Sequence, residues 1–144
     1  MLTIRREQLE AFRPVTEAEF TGRIADHLRS KHSRSVLRLR KSPTLLERLS
    51  DELLREMVRN GIERARSYGL SWESSISGFV VLMFTVAPNF DQHPIVQRVL
   101  TASEVAPDER MKLILSEMKS SNWQEAKDRY DSSAWQSQSG GVQV

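Results

Sequence analysis

The run from Ser71 to Asp91, SWESSISGFVVLMFTVAPNFD, most limits what this chain can fold into, because its middle is too apolar to face water on any side. Trp72, Ile76, Phe79, Val80, Met83 and Phe84 recur at i, i+4, i+7, i+8, i+11 and i+12, the spacing of one helical face. Val81 and Leu82 extend that face around the barrel, so the spacing predicts a core helix with Trp72 inside. Ser71 is the expected N-cap after the Tyr68-Gly69-Leu70 stop, and Ala87-Pro88-Asn89 ends the run. The delimited segment, about 16 residues at roughly 1.5 Å each, reaches about 24 Å. That is short for a bilayer, so no membrane span is expected and the rest of the chain must wrap this helix.

The flanking sequence supplies further helices. Thr3 caps an expected opening helix, Ile4 to Arg13, presenting Ile4, Leu9 and Phe12 before Pro14 breaks it. Thr16-Glu17-Ala18-Glu19 reads as a capping box, followed by Phe20, Ile24 and Leu28 as a narrow apolar stripe. Ser50-Asp51-Glu52 caps a helix carrying Leu53, Met57, Val58, Ile62 and Ala65. Gly61 inside it costs about 1 kcal/mol relative to Ala, which suggests close packing against another backbone there. Asp91 is expected to cap a short helix opening at Pro94. Pro107 opens another with Met111, Leu113, Ile114, Leu115 and Met118, and Ser121 to Gln124 begins a last amphipathic segment. The expected architecture is all-α, a bundle of about six or seven helices around the central one, with residues 1–130 as one domain. Residues 131–144, rich in Ser, Gln and Gly, are expected to form a disordered tail.

Between Ser30 and Pro43 the helical period lapses. Leu37-Arg38-Leu39-Arg40 alternates, but no second strand-like run offers to pair with it, so a basic loop is expected. Six basic residues lie between Arg29 and Lys41 without an acidic one, although the whole chain carries 21 basic and 19 acidic residues, a net charge of only +2. Such a run most often forms a solvated face. Its alternative uses are an acidic protein partner or, through phosphate neutralisation, a nucleic acid. The run holds no aromatic for base stacking, and no helix-turn-helix signature accompanies it.

Catalytic chemistry is hard to find. There is no HExxH, P-loop or GxGxxG pattern, and the spacing of His27 after Asp26, or of His93 after Asp91, matches no hydrolase or metal motif. Glu73 reads as a partner of the helix dipole before it reads as an acid. With no cysteine, no disulfide framework or thiolate metal site is possible. No enzyme activity, cofactor, metal or small-molecule substrate is expected. The opening MLTIRREQLEAF lacks an apolar core, so it predicts no secretory signal and a cytoplasmic location. Trp72 and Trp123 fall on apolar faces, whereas Trp135 stands in the polar tail and is expected to anchor in a partner.

Four stretches carry a likeness: Met1-Leu2-Thr3-Ile4-Arg5-Arg6-Glu7-Gln8-Leu9, Ala65-Arg66-Ser67-Tyr68-Gly69-Leu70, Gly78-Phe79-Val80-Val81-Leu82-Met83-Phe84, and Pro88-Asn89-Phe90-Asp91-x-x-Pro94. Together the chain up to Leu115 resembles small helical bacterial proteins encoded beside type VI secretion effectors and their spike proteins. The resemblance rests on packing and capping positions. It implies a cytoplasmic accessory protein that holds a secreted toxin, as chaperone or adaptor during loading or as a neutralising immunity partner. The segment from Ser30 to Thr44 departs from the pattern by being longer and more basic. The contact residues expected from the sequence are Arg34, Arg38, Arg40 and Trp135, and nucleic-acid binding through the 29–41 segment is the competing class.

Overall fold

A computed structural model of the chain describes residues 16–39 and 42–136. The order is α1 (Glu17–Lys31), β1 (Val36–Arg38), β2 (Pro43–Leu45), a 3-10 turn (Leu46–Arg48), α2 (Asp51–Ser67), α3 (Glu73–Thr85), a 3-10 turn (Phe90–Gln92), α4 (Pro94–Leu100), a 3-10 turn (Pro107–Glu109), α5 (Arg110–Glu117), α6 (Ser120–Asp128) and a last 3-10 turn (Ser132–Trp135). The fold is all-α apart from the small β1–β2 hairpin. The expected helix from Ile4 to Arg13 lies outside the described residues.

Local sequence explains the helix starts. Thr16 Oγ1 accepts the Glu19 N–H at 3.1 Å and Ser50 Oγ accepts the Leu53 N–H at 3.1 Å, each satisfying a donor that the first turn leaves unpaired. Gly69 ends α2 with φ +92°, the left-handed region that a glycine enters without a Cβ penalty. From α3, Ile76, Phe79, Val80, Met83 and Phe84 are buried as the spacing requires. Phe79 meets Phe90 with ring centroids 4.9 Å apart, and Phe84 meets Trp135 at 4.8 Å.

Helices α2 and α3 approach at Gly61. A Cβ built there would sit 3.0 Å from Met83 Sδ and 3.1 Å from Val80 Cγ2, so the surface facing the glycine is made of α3 side chains rather than backbone. The C-terminal ends of α2 and α4 converge on buried Arg110. Its guanidinium donates to Leu100 O at 2.8 Å and to Tyr68 O at 3.1 Å, putting a cation where two helix dipoles end negative.

Several expectations are corrected. Trp72 is 53% exposed: it occupies the extended N-cap position before α3, so the helical period does not apply to it. Val81 and Leu82 are only half-buried, and Leu115 is 60% exposed. Segment 37–40 is not a loop throughout. Val36, Leu37 and Arg38 pair antiparallel with Leu45, Thr44 and Pro43, and Leu37 alone of the three points inward. Asp91 does not cap α4; His93 does, its Nδ1 accepting the Ile95 N–H at 3.2 Å. Asp91 is instead buried, accepting the Tyr68 hydroxyl at 2.7 Å with Arg64 Nη1 3.5 Å away. Burial, helped by that hydrogen bond and the carboxylate's charge, pushes the Tyr68 hydroxyl well above its ordinary pKa.

Residues 131–136, expected to begin the tail, belong to the packed domain. Asn89 takes the Asp131 N–H at 2.9 Å and donates to Arg129 O at 2.9 Å, which turns the chain back after α6. Trp135 then enters the core, fully buried.

Two glycine substitutions should move stability in opposite directions. Gly61→Ala drives a methyl into Met83 and Val80 and is expected to lower unfolding free energy by about 1–3 kcal/mol. At Gly78 the added Cβ meets only Met111 Cε at 3.7 Å, so Gly78→Ala should raise it by about 0.5–1 kcal/mol. Urea denaturation of both variants checks the signs.

Candidate functional site

Because α3 touches both α1 and α5, its third side forms the floor of a groove between them. The groove encloses about 760 Å³. α1 contributes Phe20, Arg23, Ile24 and His27; α3 contributes Ser77, Gly78, Val81 and Leu82; α5 contributes Met111, Lys112 and Leu115. Trp72 closes the end where α3 begins. Among the described residues three large apolar side chains stand exposed, Val36, Trp72 and Leu115, and two of them are in this groove. Gly78 has no side chain and keeps the floor low.

Arg23, Glu73 and Asp108, beside the groove, have structural partners. Asp108, from the 3-10 turn before α5, accepts the Trp72 N–H at 2.7 Å and the Ser71 N–H at 2.9 Å on Oδ1, and the Ser71 hydroxyl at 2.8 Å on Oδ2. It therefore caps α3 from a distance, a task the sequence assigned to Ser71. Desolvation works to raise the Asp108 pKa, but these hydrogen bonds outweigh it and hold the carboxyl below its ordinary value. Glu73 pairs with Arg23 at 3.3 Å across the α1–α3 boundary. His27 lies edge-on to His32 with ring centroids 5.6 Å apart. Burial first, and the neighbouring His27 second, lower the His32 pKa.

The contact residues expected from the sequence lie elsewhere. Arg34 is exposed in the turn after α1. Arg38 is exposed on β1, with its guanidinium 5.1 Å from the centre of the Tyr130 ring. Its N–H donates to Tyr130 Oη at 3.0 Å and its carbonyl accepts the Ser132 hydroxyl at 2.7 Å. Arg40 lies outside the described residues. Arg29, part of the same basic run, is held by Asp51 at 2.9 Å and by Leu49 O at 2.8 Å. Trp135 cannot anchor in a partner: its indole N–H donates to Tyr130 Oη at 3.0 Å, its carbonyl accepts from Asn60 Nδ2 at 3.1 Å, and its ring packs on Phe84. Its hydrophobic area is already used inside the domain. Tyr130 thus links Arg38 to Trp135, and the hairpin is fastened to the C-terminal segment.

Sequence reasoning missed Trp72 and Leu115 as surface residues. A signal existed for Leu115: Met111, Ile114 and Met118 complete one face of α5 at i, i+3 and i+7, leaving Leu115 surplus to it. No group of three or more His, Cys, Asp or Glu side chains able to hold a metal occurs among the described residues, and no helix among them is long and apolar enough to cross a membrane.

Removing the Asp108 carboxylate should expose its structural role. Asp108→Ala is expected to cost about 1–2 kcal/mol at neutral pH, the usual size of a lost cap. A carboxyl with a lowered folded-state pKa contributes its full stability above its ordinary 3.8 and loses it as the pH falls through the folded value. The gap between parent and variant in thermal unfolding should therefore close toward low pH. No known family model, curated protein or solved structure matches the chain.

Proposed function

We propose that this chain is a protein-binding module with no reaction of its own, holding a type VI secretion effector in the cytoplasm as chaperone or adaptor. Its grip is the α1–α3–α5 groove, and its ligand is an amphipathic helix of the effector laid apolar face down. The observation that carries the reading is the pairing of Trp72 and Leu115, both more than half exposed, around one apolar groove. A monomeric protein gains nothing from leaving a tryptophan and a leucine together in water, whereas a helix-binding groove needs such anchors. The link to an effector rests on the sequence resemblance.

An apolar grip suits a chaperone better than an immunity protein. Neutralising a toxin's active site calls for matched charge, and the charges beside this groove already have local partners in Arg23–Glu73 and in Asp108 with the α3 N-terminus. The nucleic-acid reading loses support because Arg29 is paired with Asp51 and the Arg38 guanidinium already lies against the Tyr130 ring.

Co-expression with the neighbouring effector tests the reading. The chain should co-purify with the effector and raise its solubility or secretion while leaving its toxicity intact. Trp72→Asp with Leu115→Asp should weaken the complex by at least about thirtyfold, the effect of losing hot-spot anchors, with unfolding free energy within about 0.5 kcal/mol of the parent because both side chains are exposed. Abolished toxicity would favour the immunity role. Unchanged binding by the double variant, or loss of binding through Arg34→Ala and Arg38→Ala instead, would overturn the groove.

A further inference from the structure

On the reading of the α1–α3–α5 groove as a helix-binding site, we propose that Gly78 sets what enters it. The glycine opens a recess in the floor for one aromatic side chain of the partner helix, and an acidic residue beside that side chain meets Lys112.

The fold itself does not require a glycine at position 78. Gly69 ends α2 at φ +92°, and a Cβ added at Gly61 or Gly22 would stand 3.0 Å from Met83 Sδ or 3.2 Å from Arg55 Nη1. Gly78 differs on both counts. Its φ is not positive, and an added Cβ would meet only Met111 Cε at 3.7 Å, an ordinary contact. A glycine inside a helix costs stability relative to alanine, and within α3 neither backbone conformation nor close packing calls for one here. What the missing side chain does provide is depth in the groove floor.

The walls of the recess select its occupant. Ser74, Gly78 and Leu82 line the groove at successive turns of α3, so the floor is lowest at Gly78 and rises again at Leu82. Met111 borders the recess from α5. A methionine adapts its shape and makes favourable contacts with ring edges through its sulfur, which favours an aromatic side chain over an aliphatic one. Charge adds a second requirement. The carboxylates lining the groove are engaged, Glu73 by Arg23 at 3.3 Å and Asp108 by the Ser71 and Trp72 N–H groups. Lys112 follows Met111 in α5 with its side chain 77% exposed, and its ion-pair partner is Glu109 at 3.6 Å. An exposed pair of this kind is weak, so the ammonium still attracts an acid on an incoming helix.

Anilinonaphthalene sulfonate joins an aromatic body to one negative charge and fluoresces on leaving water, so it probes the recess with no effector present. Titrated into the full chain, it should bind saturably. Gly78→Leu should weaken it at least about tenfold, the discrimination that added carbons make in an apolar pocket. Gly78→Ala should weaken it in the same direction while raising the unfolding temperature. Lys112→Glu should cost about threefold. Val36→Asp, which removes an exposed apolar side chain away from the groove, should change nothing. Thermal unfolding checks that each variant is folded. No saturable binding, equal affinity of the parent and Gly78→Leu, insensitivity to Lys112→Glu, a Gly78→Ala chain less stable than the parent, or loss of binding through Val36→Asp would each overturn the proposal. Co-purification of the effector is a separate outcome. An effector that does not bind, beside the expected dye pattern, overturns the effector reading alone, whereas a bound effector beside a dye indifferent to Gly78 overturns the recess alone.

Discussion

The architecture depends on the close approach of α2 and α3 at Gly61. A side chain there would press on Met83 and Val80, on the same buried face of α3 that carries Phe79 and Phe84. Once α3 is pressed against α2 on that face, the rest of its circumference is divided among few neighbours. Phe79 reaches Phe90 on one side and Phe84 reaches Trp135 on another. The strip carrying Gly78, Val81 and Leu82 is left over, and that strip is the groove floor.

Polar groups fix this arrangement. Arg110 gathers carbonyls from the ends of α2 and α4, Asp108 holds the start of α3, and Arg64 lies between Asp91 and the carbonyls of Pro88 and Ala134. Each is a charged group placed where backbone donors or acceptors would otherwise go unmatched, which is the condition under which burial of charge is tolerated. Tyr130 performs the same service at the far end, joining β1 to the turn that carries Trp135.

What could be read in the sequence was local. Thr16 and Ser50 cap the helices they precede, and the period of Ile76, Phe79, Val80, Met83 and Phe84 describes a real buried face. What could not be read depended on contacts between distant residues. Nothing near Asp108 tells that its carboxylate serves a helix beginning at Glu73, and nothing near Trp135 tells that Asn60, Phe84 and Tyr130 wait for it. The alternation at Leu37 to Arg40 is visible in the sequence, but the partner strand Pro43–Leu45 is three residues long, shorter than the span over which alternation becomes a signal. The groove escaped for a related reason: an all-round apolar helix implies burial on every side, and periodicity cannot reveal that one strip of it, at Val81 and Leu82, stays half-buried beside a groove.

The central claim is that recognition takes place on this strip and not on the basic hairpin. Amide hydrogen exchange of the chain, alone and mixed with the type VI effector proposed as its partner, tests it most directly. The account predicts added protection in the segments of α1, α3 and α5 that border the groove, around Ile24, Leu82 and Leu115, with the β1–β2 amides unchanged. Protection confined to the hairpin and the turn at Arg34, with the groove helices exchanging as before, would contradict it.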